Sequence, residues 1–156
     1  MKPRIALRPV TKDDLPVLCQ QQLDPVANRM AVFPARDWPA FEAHWKAILE
    51  DSTVVARAVV ADGLLAGQFG VWGPPGERLV GYWIGKEFWG RGIATAGLAL
   101  LLNEVSERPI GARVAKSNVG SIRVLEKCGF RVSGDDRSTE PPGVDGVDEW
   151  LMTLER

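Results

Sequence analysis

A single α/β domain is the fold class this sequence predicts, on three observations. Short strand-like runs alternate with segments of helical period along the whole chain. Its 156 residues match the roughly 100–200 of one domain, so the domain spans 1–156. With 46% hydrophobic and 25% charged residues the composition is that of an ordinary globular protein with one sizeable core, and no repeat or long linker divides it.

Ile5-Ala6-Leu7-Arg8 reads as a first strand stopped by Pro9, and Thr11 then caps a helix whose first turn carries Asp13 and Asp14. Leu15, Leu18, Cys19 and Gln22 continue at helical spacing until Asp24-Pro25 breaks the pattern. Asp37-Trp38-Pro39 opens a second helix bearing Phe41, Trp45, Ile48 and Leu49. Two strand-like runs, 53–60 and 64–72, are joined by Ala61-Asp62-Gly63, a hairpin signal that predicts antiparallel pairing. After the turn Gly73-Pro74-Pro75-Gly76, the run from Arg78 to Gly85 reads as a central strand with Val80, Tyr82 and Ile84 on one face and Trp83 on the other. From Gly92 to Val105 the chain is apolar almost all round, which predicts a deeply buried helix packed on the sheet. Pro109 to Ala115 predicts a strand, and Asn118 to Cys128 a helix closed by Gly129. Phe130-Arg131-Val132 and Glu149 to Leu154 supply two last strands, with a polar loop from Ser133 to Val147 between them.

Charge and cysteine usage exclude several functions. A net charge of −1 leaves no positive excess to hold a polyphosphate backbone, so nucleic acid is not an expected partner. The two cysteines, Cys19 and Cys128, have no His or Cys neighbour at metal-ligand spacing, so neither a metal site nor a disulfide framework is expected. The amino terminus lacks a signal-peptide pattern and no run reaches the ~18 apolar residues of a membrane span. A cytoplasmic protein with no membrane association is the expectation.

The most specific segment is the strand-to-helix junction Ile84-Gly85-Lys86-Glu87-Phe88-Trp89-Gly90-Arg91-Gly92-Ile93-Ala94-Thr95. Glycines at 90 and 92 let the backbone approach a ligand, and the free N–H groups opening the next helix favour an anion. A P-loop is excluded, because Arg91 and Gly92 stand where its Lys and Mg²⁺-binding hydroxyl belong. A dinucleotide fingerprint is excluded as well, since no Gly-x-Gly-x-x-Gly follows an early strand.

The stretch Gly81 to Thr95 resembles the acetyl-CoA motif of the GNAT N-acetyltransferase superfamily, in its RimJ/RimL-like branch. Asn118-Val119-Gly120-Ser121 followed by Leu125-Glu126-Lys127-Cys128-Gly129-Phe130 resembles that branch's second signature. Leu7-Arg8-Pro9 with Asp13-Asp14-Leu15 resembles its opening, and Asp148-Glu149-Trp150 its closing strand. The resemblance implies a mixed, mostly antiparallel central sheet of about six or seven strands, splayed in the middle and flanked by about four helices.

It also implies a set of site residues. The main chain near Ile84 would pair with the pantetheine arm like an added strand. Amides of Trp89, Gly90, Arg91, Gly92, Ile93 and Ala94 would hold the pyrophosphate, with Thr95 completing that stretch, and the Trp89 side chain would pack rather than pair. Asn118 and Ser121 would stand near the thioester, and Arg91, Lys116, Arg123 and Lys127 are candidate phosphate partners or solvated charges. Leu79 holds the place of the family's strand glutamate, which leaves Glu77, two residues earlier, as candidate general base. Leu125 stands where many members carry an acidic tyrosine, which leaves Ser121 as candidate proton donor to the departing thiolate. Tyr82 is a candidate substrate contact or core residue. Cys128 reads as a packing position, and His44 as a surface residue of the second helix. Trp38, Phe41 and Trp45 read as helix core or as the acceptor wall.

The function implied is direct transfer of acetyl from acetyl-CoA to a primary amine, either a protein amino terminus or a small amine, by a monomer or homodimer. A non-catalytic acyl-CoA sensor is the alternative that the missing glutamate and tyrosine support. The acidic 133–149 segment, with Asp135, Asp136, Glu140, Asp145, Asp148 and Glu149, would favour a cationic acceptor if it borders the pocket.

Overall fold

The computed structural model describes residues 2–138 and 146–156. Seven strands form one sheet: β1 Ile5–Pro9, β2 Val55–Ala61, β3 Leu64–Trp72, β4 Leu79–Ile84, β5 Ile110–Ala115, β6 Arg131–Ser138 and β7 Val147–Leu154, in the order β1-β2-β3-β4-β5-β7-β6. Every pairing is antiparallel except β4 with β5, which is parallel and holds at one position only, Leu79 opposite Gly111. The sheet is therefore zipped on both flanks and parted in the middle.

Among the described residues five α-helices flank it: α1 Leu15–Gln22, α2 Pro25–Ala31, α3 Trp38–Glu50, α4 Ile93–Glu104 and α5 Val119–Lys127. The sequence reading of about four helices missed α2, because it took Asp24-Pro25 only as a stop. It is also a start: the Asp24 carboxylate accepts the Val26 and Ala27 N–H groups at 2.9 and 3.0 Å, and Pro25 occupies the first turn, where its missing donor costs nothing. β6 is likewise longer than Phe130-Arg131-Val132. A register shift between Val132 and Gly134 lets pairing with β7 run on to Ser138, so Asp135 and Asp136 lie on a strand and not in a loop. Glu140 and Asp145 lie outside the described residues.

Each face of the sheet carries its own core, as strand alternation requires. Val59 turns to the side of α4 and α5, among Phe69, Leu98, Leu101, Phe130 and Met152, while its neighbour Ala58 turns to α1 and α3, among Leu18, Phe41 and Trp45. Phe41 and Trp45 are thus core residues, and Trp38 stacks on Phe41 from a more exposed position. Each fully buried large side chain contributes about 1.5–3 kcal/mol by transfer alone. Gly97 explains how α4 sits so close: a Cβ there would fall 2.6 Å from the Phe69 ring.

The opening Arg8…Asp13-Asp14 pattern has a structural cause. The Arg8 guanidinium grips both oxygens of the buried Asp14 carboxylate at 2.8 Å, and the Thr11 N–H adds a third bond at 2.8 Å. The Arg8 hydrogen bonds, foremost, hold the Asp14 pKa below its usual value. A depressed carboxylate pKa stabilises the fold above about pH 4, and that contribution fades as pH falls through the folded-state value. Asp14→Asn is expected to cost about 1–3 kcal/mol at neutral pH and to flatten the acid-side decline, both readable from thermal melts between about pH 2 and pH 7.

Candidate active site

β4 ends at Ile84, and the chain makes a short 3₁₀ turn at Lys86–Phe88 before α4 begins. Buried Phe88 pins this loop to the core, and the Trp89 indole N–H donates to the Ile84 carbonyl at 2.9 Å. The expectation that Trp89 only packs is therefore corrected: it packs and also pairs with the strand end. Gly90 and Gly92 adopt φ of 76° and 75°, in the left-handed region that other residues avoid, and a side chain at either would point into open space. Gly92 is the N-cap of α4 and offers no side chain to it, so the first-turn amides of Ile93, Ala94 and Thr95 have no capping partner. These donors, added to the helix dipole, make a site for an anion.

Beside this loop the sheet opens. The Arg78 carbonyl accepts from Gly111 N–H at 2.9 Å, and the Gly85 N–H donates to Ala66 on the opposite side at 2.8 Å. Backbone groups alternate along a strand, so those of Tyr82 and Ile84 face β5 beyond the last paired position. With the Ile84 carbonyl already taken by Trp89, the Ile84 N–H and the Tyr82 groups remain to pair with an extended ligand.

The gap leads into a cavity of about 510 Å³. Tyr82 and Trp83 lie on opposite faces of β4, and both line it, so the cavity passes through the parted sheet. The Tyr82 ring packs on Phe69, and its hydroxyl meets the Ser121 hydroxyl at 2.8 Å. Burial drives the Tyr82 pKa up to about 12, against the opposing effect of the Ser121 bond. Asn118, which lines the cavity, caps α5 by accepting the Ser121 N–H at 3.3 Å, and its amide N–H₂ donates to no protein group among the described residues.

Of the residues singled out from sequence, the structure brings Tyr82, Ile84, Trp89, Gly90, Gly92, Ile93, Ala94, Thr95, Asn118 and Ser121 to one cavity, with Lys127 at its edge. Arg91 lies outside the lining and stands over the Phe88 ring, 5.8 Å from its centroid. Glu77 is not brought there. It is exposed in the turn before β4, five positions ahead of Tyr82 or roughly 16 Å of extended chain, at the paired end of the strand. Lys116 is occupied elsewhere, bound to Asp135 at 2.9 Å and seated over the Trp150 ring. His44 is exposed on α3 and outside the lining. Cys128 is half-buried, its thiol donating to the Thr95 carbonyl at 3.6 Å, and burial pushes its pKa up, which opposes use as a nucleophile.

Sequence reasoning missed the wall built by α2, where Ala27, Met30 and Ala31 face the cavity with Trp83. The Asp24-Pro25 start signal was the clue to that helix. Nothing in the sequence pointed its residues at the site.

Two features of the loop bear on the ligand. An anion cradle without the lysine and hydroxyl of a P-loop, opening on a gap between strands, fits a long phosphate-bearing ligand held by backbone groups. Residues 4–131 match the family described as acetyltransferase (GNAT) domain, and the chain belongs to that family of acetyl-transferring enzymes.

Solved structures agree on the fold. RimL, a ribosomal L7/L12 α-N-protein acetyltransferase, superposes with a TM-score of 0.84 at 18% identity, covering 97% of this chain and 90% of that one. Spermidine N-acetyltransferase from Vibrio cholerae, in complex with CoA and spermine, gives 0.81 at 18% identity over 97% and 95%. Mycobacterium smegmatis RimJ, in complex with CoA-disulfide, gives 0.74 at 25% identity over 97% and 81%. No curated protein matches the sequence. No helix among the described residues is long and apolar enough to cross a membrane.

Proposed function

We propose that this chain transfers the acetyl group of acetyl-CoA directly to a primary amine. The observation that carries the reading is the Tyr82–Ser121 hydroxyl pair, set inside the cavity between the amide cradle and the parted strands. Acetyl-CoA supplies the thioester. The amides of residues 89–95 hold its pyrophosphate, and the free backbone groups of Tyr82 and Ile84 hold the pantetheine arm. The Asn118 amide stands near the reacting end. The acceptor nitrogen would bond to the acetyl carbonyl carbon while the C–S bond breaks; the proton lost by that nitrogen would pass to solvent, and the sulfur would take one from a protein hydroxyl that solvent then reprotonates. Ser121 is placed to deliver it, and Tyr82, hydrogen-bonded behind it, orients the serine and shares the charge left on its oxygen. Alignment of the two reactants in a closed cleft supplies a large part of the rate. The raised pKa of the Cys128 thiol and the absence of a base bonded to it among the described residues favour this direct route over an acyl-enzyme.

Isothermal titration with acetyl-CoA, followed by thiol release against peptides and small amines, tests the reading. Binding with turnover is expected. Binding without turnover on any acceptor supports the sensor alternative, and no binding overturns the proposal.

A further inference from the structure

The half of the cavity on the α2 side has a chemistry of its own. Ala27, Met30 and Ala31 form one wall and Trp83 the other. The Trp83 indole is held in place by its N–H bond to the Gln21 carbonyl at 3.1 Å and by the edge of Phe33, with ring centroids 6.4 Å apart. No Asp or Glu lines the cavity among the described residues, and its one charged side chain is the cation Lys127. The described carboxylates of the acidic segment are engaged elsewhere: Asp135 with Lys116, Asp136 and Glu149 with Arg113, and Asp148 with Arg137.

Such a site penalises a second positive charge on the acceptor. Among the described residues it also offers no carboxylate to take a proton from the attacking ammonium, so the amine enters in its neutral form. An α-amino group, with a pKa of about 7.7–8.0, reaches that form far more readily than a side-chain alkylamine of about 10.4, a difference of several hundred-fold in neutral fraction near neutral pH. Resting on the acetyltransferase reading above, we propose that the acceptor is an α-amino group adjoining an apolar side chain, seated between Trp83 and the α2 wall. A peptide amino terminus and a small amino-acid amide share this chemistry. A polyamine does not.

Acetyl-CoA turnover is measured on tetrapeptides that begin with Leu, Lys or Asp and are otherwise identical, on leucinamide, and on spermidine. The Leu-first peptide should exceed the Lys-first and Asp-first peptides by roughly 10–200-fold in kcat/KM, the range a buried apolar group confers, and spermidine by more. Leucinamide turned over as well as the peptide confines recognition to the first residue. Poor turnover of leucinamide beside a good Leu-first peptide shows that the longer main chain is read as well. Either result supports the proposal. In the Met30→Glu variant, at a half-exposed helix position that tolerates a charge, the ratio of Leu-first to Lys-first should fall at least about tenfold with CoA affinity unchanged. Preference for spermidine or for the Lys-first peptide in the unmodified enzyme, with thiol released, overturns this inference and leaves the acetyltransferase reading standing. No release from any acceptor overturns both.

Discussion

Replacing Gly92 with aspartate is expected to abolish coenzyme A binding while leaving the fold intact. The Cβ of residue 92 would project into open space at the mouth of α4, with no protein atom within 4 Å of it. The carboxylate would meet a pyrophosphate instead. Two negative charges about 4 Å apart at an effective dielectric of 20 repel by about 4 kcal/mol, roughly a thousand-fold in Kd. Part of any loss comes from forcing a side chain to φ of 75°, a strain of about 1–2 kcal/mol. Gly92→Ala carries the same strain without the charge, so it should retain binding within about tenfold. Calorimetry on both variants separates the two effects, and normal binding by Gly92→Asp would place the pyrophosphate elsewhere.

Ser121→Ala is expected to lower kcat by roughly 100–1,000-fold with little change in affinity for CoA, the signature of a group that acts on the leaving thiolate rather than on ground-state binding. Tyr82→Phe should cost about tenfold less than that, since it keeps the ring packed on Phe69 and removes only the hydroxyl behind the serine. Ser121→Ala strands the buried Tyr82 hydroxyl at a cost of about 1–3 kcal/mol in stability. The double variant removes both partners and should recover much of that loss in Tm while keeping the kcat defect. Stability then recovers while the rate does not, which a purely structural role for Ser121 does not produce. An unchanged kcat in Ser121→Ala would mean that the thiolate takes its proton from solvent. Glu77→Gln is the control, and its kcat should be that of the unmodified enzyme.

The parts of this molecule legible in the sequence are those where one local rule fixes the outcome. Ala61-Asp62-Gly63 turns β2 into β3 because two successive positive φ values, 50° at Asp62 and 82° at Gly63, suit that pair. Gly90 and Gly92 mark the cradle for the same reason, and Asn118 caps the helix it was read to open. Where several elements must converge, the sequence is silent. Glu77 is two residues from the place of the family's glutamate and on the same side of a regular strand, but the strand begins at Leu79, so that alternation does not extend to position 77. The Ser121 contact of Tyr82 joins residues 39 positions apart, beyond the reach of any periodicity. The α2 wall was invisible because its helix has seven residues and two of its three lining side chains are alanine, too short and too small a face to stand out as an apolar stripe.

The single pairing of Leu79 with Gly111 divides the molecule along a seam. β1 to β4 lie on one side with α4, which packs on β1, β3 and β4, while β5, β6 and β7 lie on the other. Away from that one rung, the seam is crossed by side chains: Tyr82 to Ser121, and Cys128 to the Thr95 carbonyl on α4. Two strand edges, which at the rim of a sheet would invite other chains, are thereby kept indoors and reserved for a ligand. The hydroxyl pair assigned to proton delivery is also a stitch across the line where the halves would part. The width of the cleft and the competence of its acid are consequently one variable: any opening that admits a bulkier ligand stretches the same 2.8 Å bond on which the chemistry depends.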